Sequence, residues 1–269
     1  MIGNSRLREA SLVKREASRR QRATSDERRA TKRSRPLRID VLTIFPDMFA
    51  GALDHSIVRR ARDQKALDVR LHDLRDYTHD RRRTVDDRPY GGGPGMVLKP
   101  EPIFEAMDVI TKQTRTLARQ RTVILLAPQG ERFSQSIAEK LAKESQLILI
   151  CGRYEGVDER VRKALVDREI SIGDYVLTGG ELPAMVIIDA VARLLPGVLG
   201  HAESNTSQSF SNGLMEYPQY TRPLRYRGST VPKILLSGNH PRIAAWRKMK
   251  SLARTAARRP DLFTQHSSR

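Results

Sequence analysis

The sequence predicts an α/β fold with a mostly parallel sheet, followed by a small, mainly helical C-terminal domain. Three observations carry that reading. From residue 37 to 195, apolar runs of strand length alternate with stretches of helical spacing, the pattern of strand–helix–strand units. Two of those runs lead straight into glycine-bearing loops, 147–150 into 151–156 and 170–172 into 173–183. A parallel sheet binds ligands in the loops at the carboxyl ends of its strands, and glycine lets a ligand press against bare backbone. The two loops therefore predict one small-molecule pocket built mainly from main chain. Finally, the net charge of +18 is unevenly spread: residues 1–36 carry +8, residues 222–269 carry +11, and the body between them carries −1. Basic segments attract polyanions by counterion release, and nucleic acid is the commonest such partner.

The elements follow in order. Residues 1–36 are rich in Arg, Ser, Ala and Glu with almost no large apolar side chains, so they cannot bury a core and are expected to be disordered. Two readings of this basic tail stand: an RNA-contacting arm, or a misplaced start with Leu37 as the true one. The globular domain is expected over 37–199. Residues 38–45 read as a strand closed by Pro46, 47–64 as a helix and 67–71 as a second strand. The polar stretch 75–100, with its Gly91-Gly92-Gly93-Pro94-Gly95 run, reads as loop. A helix over 101–112 precedes a strand over 122–126 that ends at a turn, Ala127-Pro128-Gln129-Gly130. Helix 134–144, strand 147–150, helix 158–166 and strand 169–172 follow. Helix 183–195 is stopped by Pro196-Gly197. Residues 200–215 read as a polar interdomain linker, and 216–269 as the C-terminal domain. There 218–232 is irregular and basic, and 241–257 is one amphipathic helix with Trp246, Met249 and Leu252 on its apolar side.

Composition excludes several classes. Cys151 is the sole cysteine, so no internal disulfide forms and a reducing cytoplasm is the expected setting. It reads as a buried small residue rather than a nucleophile. No apolar run approaches the roughly 18 residues of a membrane span, and the charged N-terminus lacks the apolar core of a secretory signal. There is no P-loop and no G-x-G-x-x-G. The six histidines are scattered and no metal-ligand spacing is present.

Several longer motifs stand in a fixed order: residues 83–96, which include Asp86-Asp87-Arg88-Pro89-Tyr90, residues 151–160, residues 171–185, residues 196–201, Tyr220-Thr221-Arg222-Pro223 and Leu235-Leu236-Ser237-Gly238-Asn239-His240. Together they closely resemble the bacterial tRNA (guanine-N1)-methyltransferases, the TrmD family, over roughly 37–263. The resemblance implies a SPOUT fold whose sheet carries a C-terminal trefoil knot, an exception to ordinary chain topology. It implies methyl transfer from S-adenosylmethionine to N1 of guanine 37 in tRNA, 3′ of the anticodon, by a cytoplasmic homodimer whose active site lies at the subunit interface. The family also uses magnesium. By the same resemblance the cofactor-binding positions are Leu126, Pro128, Gly152, Tyr154, Gly156, Ile172, Gly173, Asp174, Tyr175, Val176, Leu177, Gly179, Gly180 and Pro183. Gly and apolar residues with Glu155 close by suit an adenine held by backbone and a sulfonium that disfavours nearby positive charge.

N1 of guanine carries a proton, so the reaction needs a base and a stabiliser for the developing charge. The family's arginine matches Arg193, expected to donate to guanine O6, where a fixed guanidinium is well suited. The family's general-base aspartate is replaced here by Gln208, which accepts a hydrogen bond but takes no proton near neutral pH. Glu203 and Glu216 are the carboxylates expected to substitute. Asp86 reads either as a contact to a neighbouring anticodon base or as part of a solvated loop. Glu155, Arg222 and Arg247 complete the expected substrate-RNA contacts, the two arginines within a basic surface suited to phosphates. Two alternatives remain open from the sequence: a tRNA-binding relative impaired through Gln208, and a knotted methyltransferase with another RNA target.

Overall fold

The computed structural model describes residues 35–114, 117, 120–199, 209–210 and 213–264. They fall into two compact units that divide after Leu199. The expected tail over 1–34, Glu203 and Gln208 lie outside the described residues, as does much of the expected linker.

The first unit is built on a five-stranded sheet. Its strands are β1 (Leu37–Thr43), β2 (Leu67–Asp73), β5 (Arg121–Arg132), β6 (Gln146–Cys151) and β7 (Arg168–Ser171), in the order β2-β1-β6-β5-β7. Every neighbouring pair is parallel. Burial on both faces explains why the strands read as continuous apolar runs. Ile39, Val41, Ile124, Leu126, Leu147 and Leu149 point into one core. Helices α1 (Ser56–Asp63), α3 (Gln135–Leu141) and α5 (Glu181–Ala192) cover it. The alternate residues Leu42, Val123, Leu125, Ile148 and Ile150 point into a second core under α2 (Pro100–Gln113) and α4 (Glu159–Leu165).

The first strand also carries a buried polar cluster. Asp40 is fully buried. Arg38 donates to it through Nη2 and Nε at 2.7 and 2.8 Å, Gln146 donates at 2.7 Å, and His72 Nε2 lies 2.9 Å away. Burial pushes this carboxyl up, but the hydrogen bonds from His72, Arg38 and Gln146 overcome it and hold the pKa at about 2,.

Several elements differ from expectation. The helix expected over 47–64 is a single 3-10 turn, Pro46–Phe49, then α1; Gly51, at φ +83°, turns the chain between them. Strand β5 does not stop at Leu126. Residues 127–130 bulge out of register and pairing with β7 resumes at Glu131, so the expected turn is an irregular strand extension. The loop over 75–100 holds a short antiparallel pair, β3 (Asp86–Asp87) with β4 (Val97–Leu98). Helix α5 starts two residues before and ends three before the expected helix, with Arg193 as its C-cap.

The second unit contains a two-stranded hairpin, β8 (Arg225–Tyr226) and β9 (Ser229–Thr230), the long helix α6 (His240–Arg258) and the short α7 (Asp261–Thr264). The expected apolar side of the long helix is corrected here. Met249 and Leu252 are exposed, and the buried residues are Ser251 and Thr255. These small side chains let the helix meet backbone: Ser251 Oγ donates to the Met215 carbonyl at 2.5 Å, and the Met215 amide donates to Thr255 Oγ1 at 2.9 Å. Among the described residues no helix is long and apolar enough to cross a membrane.

Candidate active site

A cavity opens at the carboxyl ends of β6 and β7, beside the bulge in β5. Three segments line it, 125–129, 152–157 and, apart from Asp174, 170–180, with Pro183 from the start of α5. The loops are tied by main chain. The Gly180 amide donates to the Gly152 carbonyl at 2.9 Å, and Arg153 bridges Gly179 in antiparallel fashion. Gly180 has a steric reason: a Cβ there would lie 2.7 Å from the Cys151 Cα, closer than real contacts allow. A Cβ on Gly156, at φ +113°, would meet nothing within 4 Å and would project into open space. Glu155 is fixed through its amide, which donates to the Met96 carbonyl at 3.0 Å, so the 95–99 segment braces this loop.

Of the expected cofactor positions, the structure brings thirteen to the cavity: Leu126, Pro128, Gly152, Tyr154, Gly156, Ile172, Gly173, Tyr175, Val176, Leu177, Gly179, Gly180 and Pro183; Glu155 lines it too. Tyr154, Tyr175 and Val176 are exposed. Asp174 does not line the cavity; its carboxylate pairs with Arg132 instead. Asp86 lies outside as well, in the short β3–β4 pair. The Cys151 thiol is buried, and burial followed by the nearby Glu181 charge pushes it well up. A thiol kept protonated is no nucleophile.

Arg193 is not at the cavity. Twelve residues of α5 separate it from Gly180, about 18 Å at 1.5 Å per residue. The helix runs back along the sheet, and the side-chain amide of Gln64, just before β2, donates to the Gly197 carbonyl at 3.1 Å. Arg193 therefore sits toward the amino ends of the strands, and the cavity at their carboxyl ends.

The second unit has its own groove, in which two of the expected RNA contacts meet. Arg222 and Arg247 both line it, with Tyr217 and Tyr220. The Arg247 guanidinium lies 4.9 Å over the Tyr217 ring, a cation–π arrangement. Glu216 is anchored beside it, its carboxylate accepting from Gln219 Nε2 at 2.6 Å. Among the described residues, no three His, Cys, Asp or Glu side chains are grouped to hold a metal ion.

Sequence reasoning missed a charged layer behind the cavity. Arg153 and Arg162 line the wall, and Glu181 and Glu169 pair with them at 3.5 and 3.1 Å. The acid directly after Gly179-Gly180 is a local signal for one of these pairs; the other has none.

Fold and cavity together define an α/β ligand-binding protein with a main-chain pocket at the carboxyl ends of a parallel sheet. A family model described as tRNA (Guanine-1)-methyltransferase TrmD matches residues 37–265, and the chain belongs to that family. The tRNA (guanine-N(1)-)-methyltransferase of Moorella thermoacetica is 60% identical over 229 residues, covering 85% of this chain and 91% of the relative. Those of Geobacillus kaustophilus and Dictyoglomus turgidum are 59% and 57% identical, covering 86% of this chain and 93% and 91% of the relatives.

Proposed function

We propose that the protein transfers a methyl group from S-adenosylmethionine to N1 of guanine 37 in tRNA. The family match over nearly all of the globular chain carries this reading. The cavity fits the cofactor on structural grounds. Gly156 leaves open space that a side chain would fill, backbone supplies the donors and acceptors an adenine needs, and Glu155 places a carboxylate on the wall. When bound there, the cofactor supplies an electrophilic methyl group.

The chain's own residues orient and deprotonate the base. Arg193 donates to guanine O6 and stabilises the charge that develops there. Gln208 holds the base by hydrogen bonding, and Glu216 or Glu203 takes the N1 proton. Arg222 and Arg247 hold tRNA phosphates. The described residues offer no cluster for magnesium.

The distance between Arg193 and the cavity supports a homodimer, with the cavity of one copy facing Arg193, the linker and the C-terminal unit of the other. The exposed Leu182 and Val186 on α5, leading to Arg193 at helical spacing, are suited to such an interface. We read the close tie of residues 179–180 to 151–153 as part of a SPOUT trefoil knot, and a cytoplasmic setting follows from the tRNA substrate. Single-turnover methyl transfer to transcripts with guanine or adenine at position 37 tests the reading. Transfer to the guanine transcript alone is expected; transfer to neither, or to both, contradicts it.

A further inference from the structure

We propose that Glu181 determines cofactor charge specificity: by cancelling the Arg153 charge in the cavity wall, it lets the pocket prefer a sulfonium over its neutral thioether product. This rests on the reading that the cavity takes S-adenosylmethionine.

Glu181 is fully buried. Thr43 Oγ1 donates to its Oε1 at 2.8 Å. Its Oε2 accepts no hydrogen bond and lies 3.5 Å from Arg153 Nη1. That guanidinium is held in place, 4.5 Å over the Phe45 ring and donating to Thr178 Oγ1 at 3.3 Å. The charged residues lining the cavity are Arg153, Arg162 and Glu155, which alone sum to a positive wall. Glu181 and Glu169, set behind the two arginines, reverse that sign. A cationic ligand gains from the reversal and a neutral one does not.

Stability alone does not call for such a pair. A buried ion pair costs desolvation, and apolar replacements of similar volume are often neutral or stabilising. The carboxylate's imperfect satisfaction at Oε2 is the mark of a group placed for its field rather than for a hydrogen bond.

The test is calorimetric binding of S-adenosylmethionine and S-adenosylhomocysteine to the full chain, wild type, E181Q and E181Q/R153M. E181Q is expected to weaken the sulfonium ligand about tenfold more than the thioether, from an uncompensated nearby charge. The double variant is expected to return the ratio to near wild type. Equal weakening of both ligands, as a packing role would give, overturns the proposal. Should E181Q fail to fold, R153M alone decides: the preference for the sulfonium rises above wild type, and an unmoved ratio overturns the proposal. If wild type binds neither ligand, the cofactor reading falls and the inference with it; if it binds both and the ratio never moves, the inference alone falls.

Discussion

The two units solve recognition in opposite ways. The first presents a near-neutral cavity walled by glycine loops and closed by backbone hydrogen bonds, with its arginines paired from behind. The second presents cationic side chains on one long helix and an irregular basic strand pair, with Tyr217 under Arg247. Rigid main chain suits a small ligand with many distinct faces, and a row of cationic side chains suits a long polyanion. The difference teaches where each class of mutation should act.

The largest effect is expected at the proposed charge stabiliser. Arg193→Gln should lower the single-turnover rate about 10²–10³-fold, as loss of a charge-stabilising donor does. Cofactor affinity should stay put, because the proposed contact of Arg193 is to guanine O6 and Arg193 does not line the cavity of its own chain. Next, Glu203→Gln combined with Glu216→Gln should slow transfer about 10²-fold, and adding Gln208→Asp should recover much of it. An unchanged rate in the double variant would show that neither carboxylate is the base.

Gly180→Ala sharpens the contrast from the cavity side. Its Cβ would meet the Cys151 backbone at 2.7 Å, so the start of α5 must shift. Cofactor affinity should fall about tenfold or more, with tRNA affinity unaltered. Arg222→Gln with Arg247→Gln should do the reverse, weakening tRNA binding severalfold and reducing the salt slope by about 2. Filter binding across salt concentrations reads both.

The smallest effect falls on stability and leaves the chemistry alone. The pKa of Asp40 is about 2 in the folded protein, below its ordinary value of 3.8. Its contribution is therefore complete above about pH 4 and is lost as pH falls toward 2, worth about 2 kcal/mol. Asp40→Asn should flatten the fall in Tm between about pH 4 and 2 and lower stability at neutral pH by about 3 kcal/mol.

Much of this was legible along the chain. An apolar run ending in glycine is a local signal, and it marks the cavity loops at 151–156 and 173–183. The sheet order was not legible, because periodicity says which residues are buried and not which strands are neighbours. The β5 extension was hidden by Pro128 and Gly130, which read as a turn. The Thr43–Glu181 bond joins residues 138 positions apart, beyond any local pattern. The buried face of α6 was misread because the residues that pack there are Ser251 and Thr255, chosen for small size and not for hydrophobicity. Arg193 and Gln208 were identified by resemblance alone.

The most direct test is subunit complementation. Gly180→Val, deficient in the cavity, and Arg193→Gln, deficient in the donor, are each purified, mixed and allowed to exchange subunits. If cavity and Arg193 act from different copies, a mixed dimer holds one intact site, and the mixture should recover about a quarter of wild-type activity. If the mixture stays as inactive as its parts although mixed dimers form, both groups serve one chain and the two-copy account is wrong.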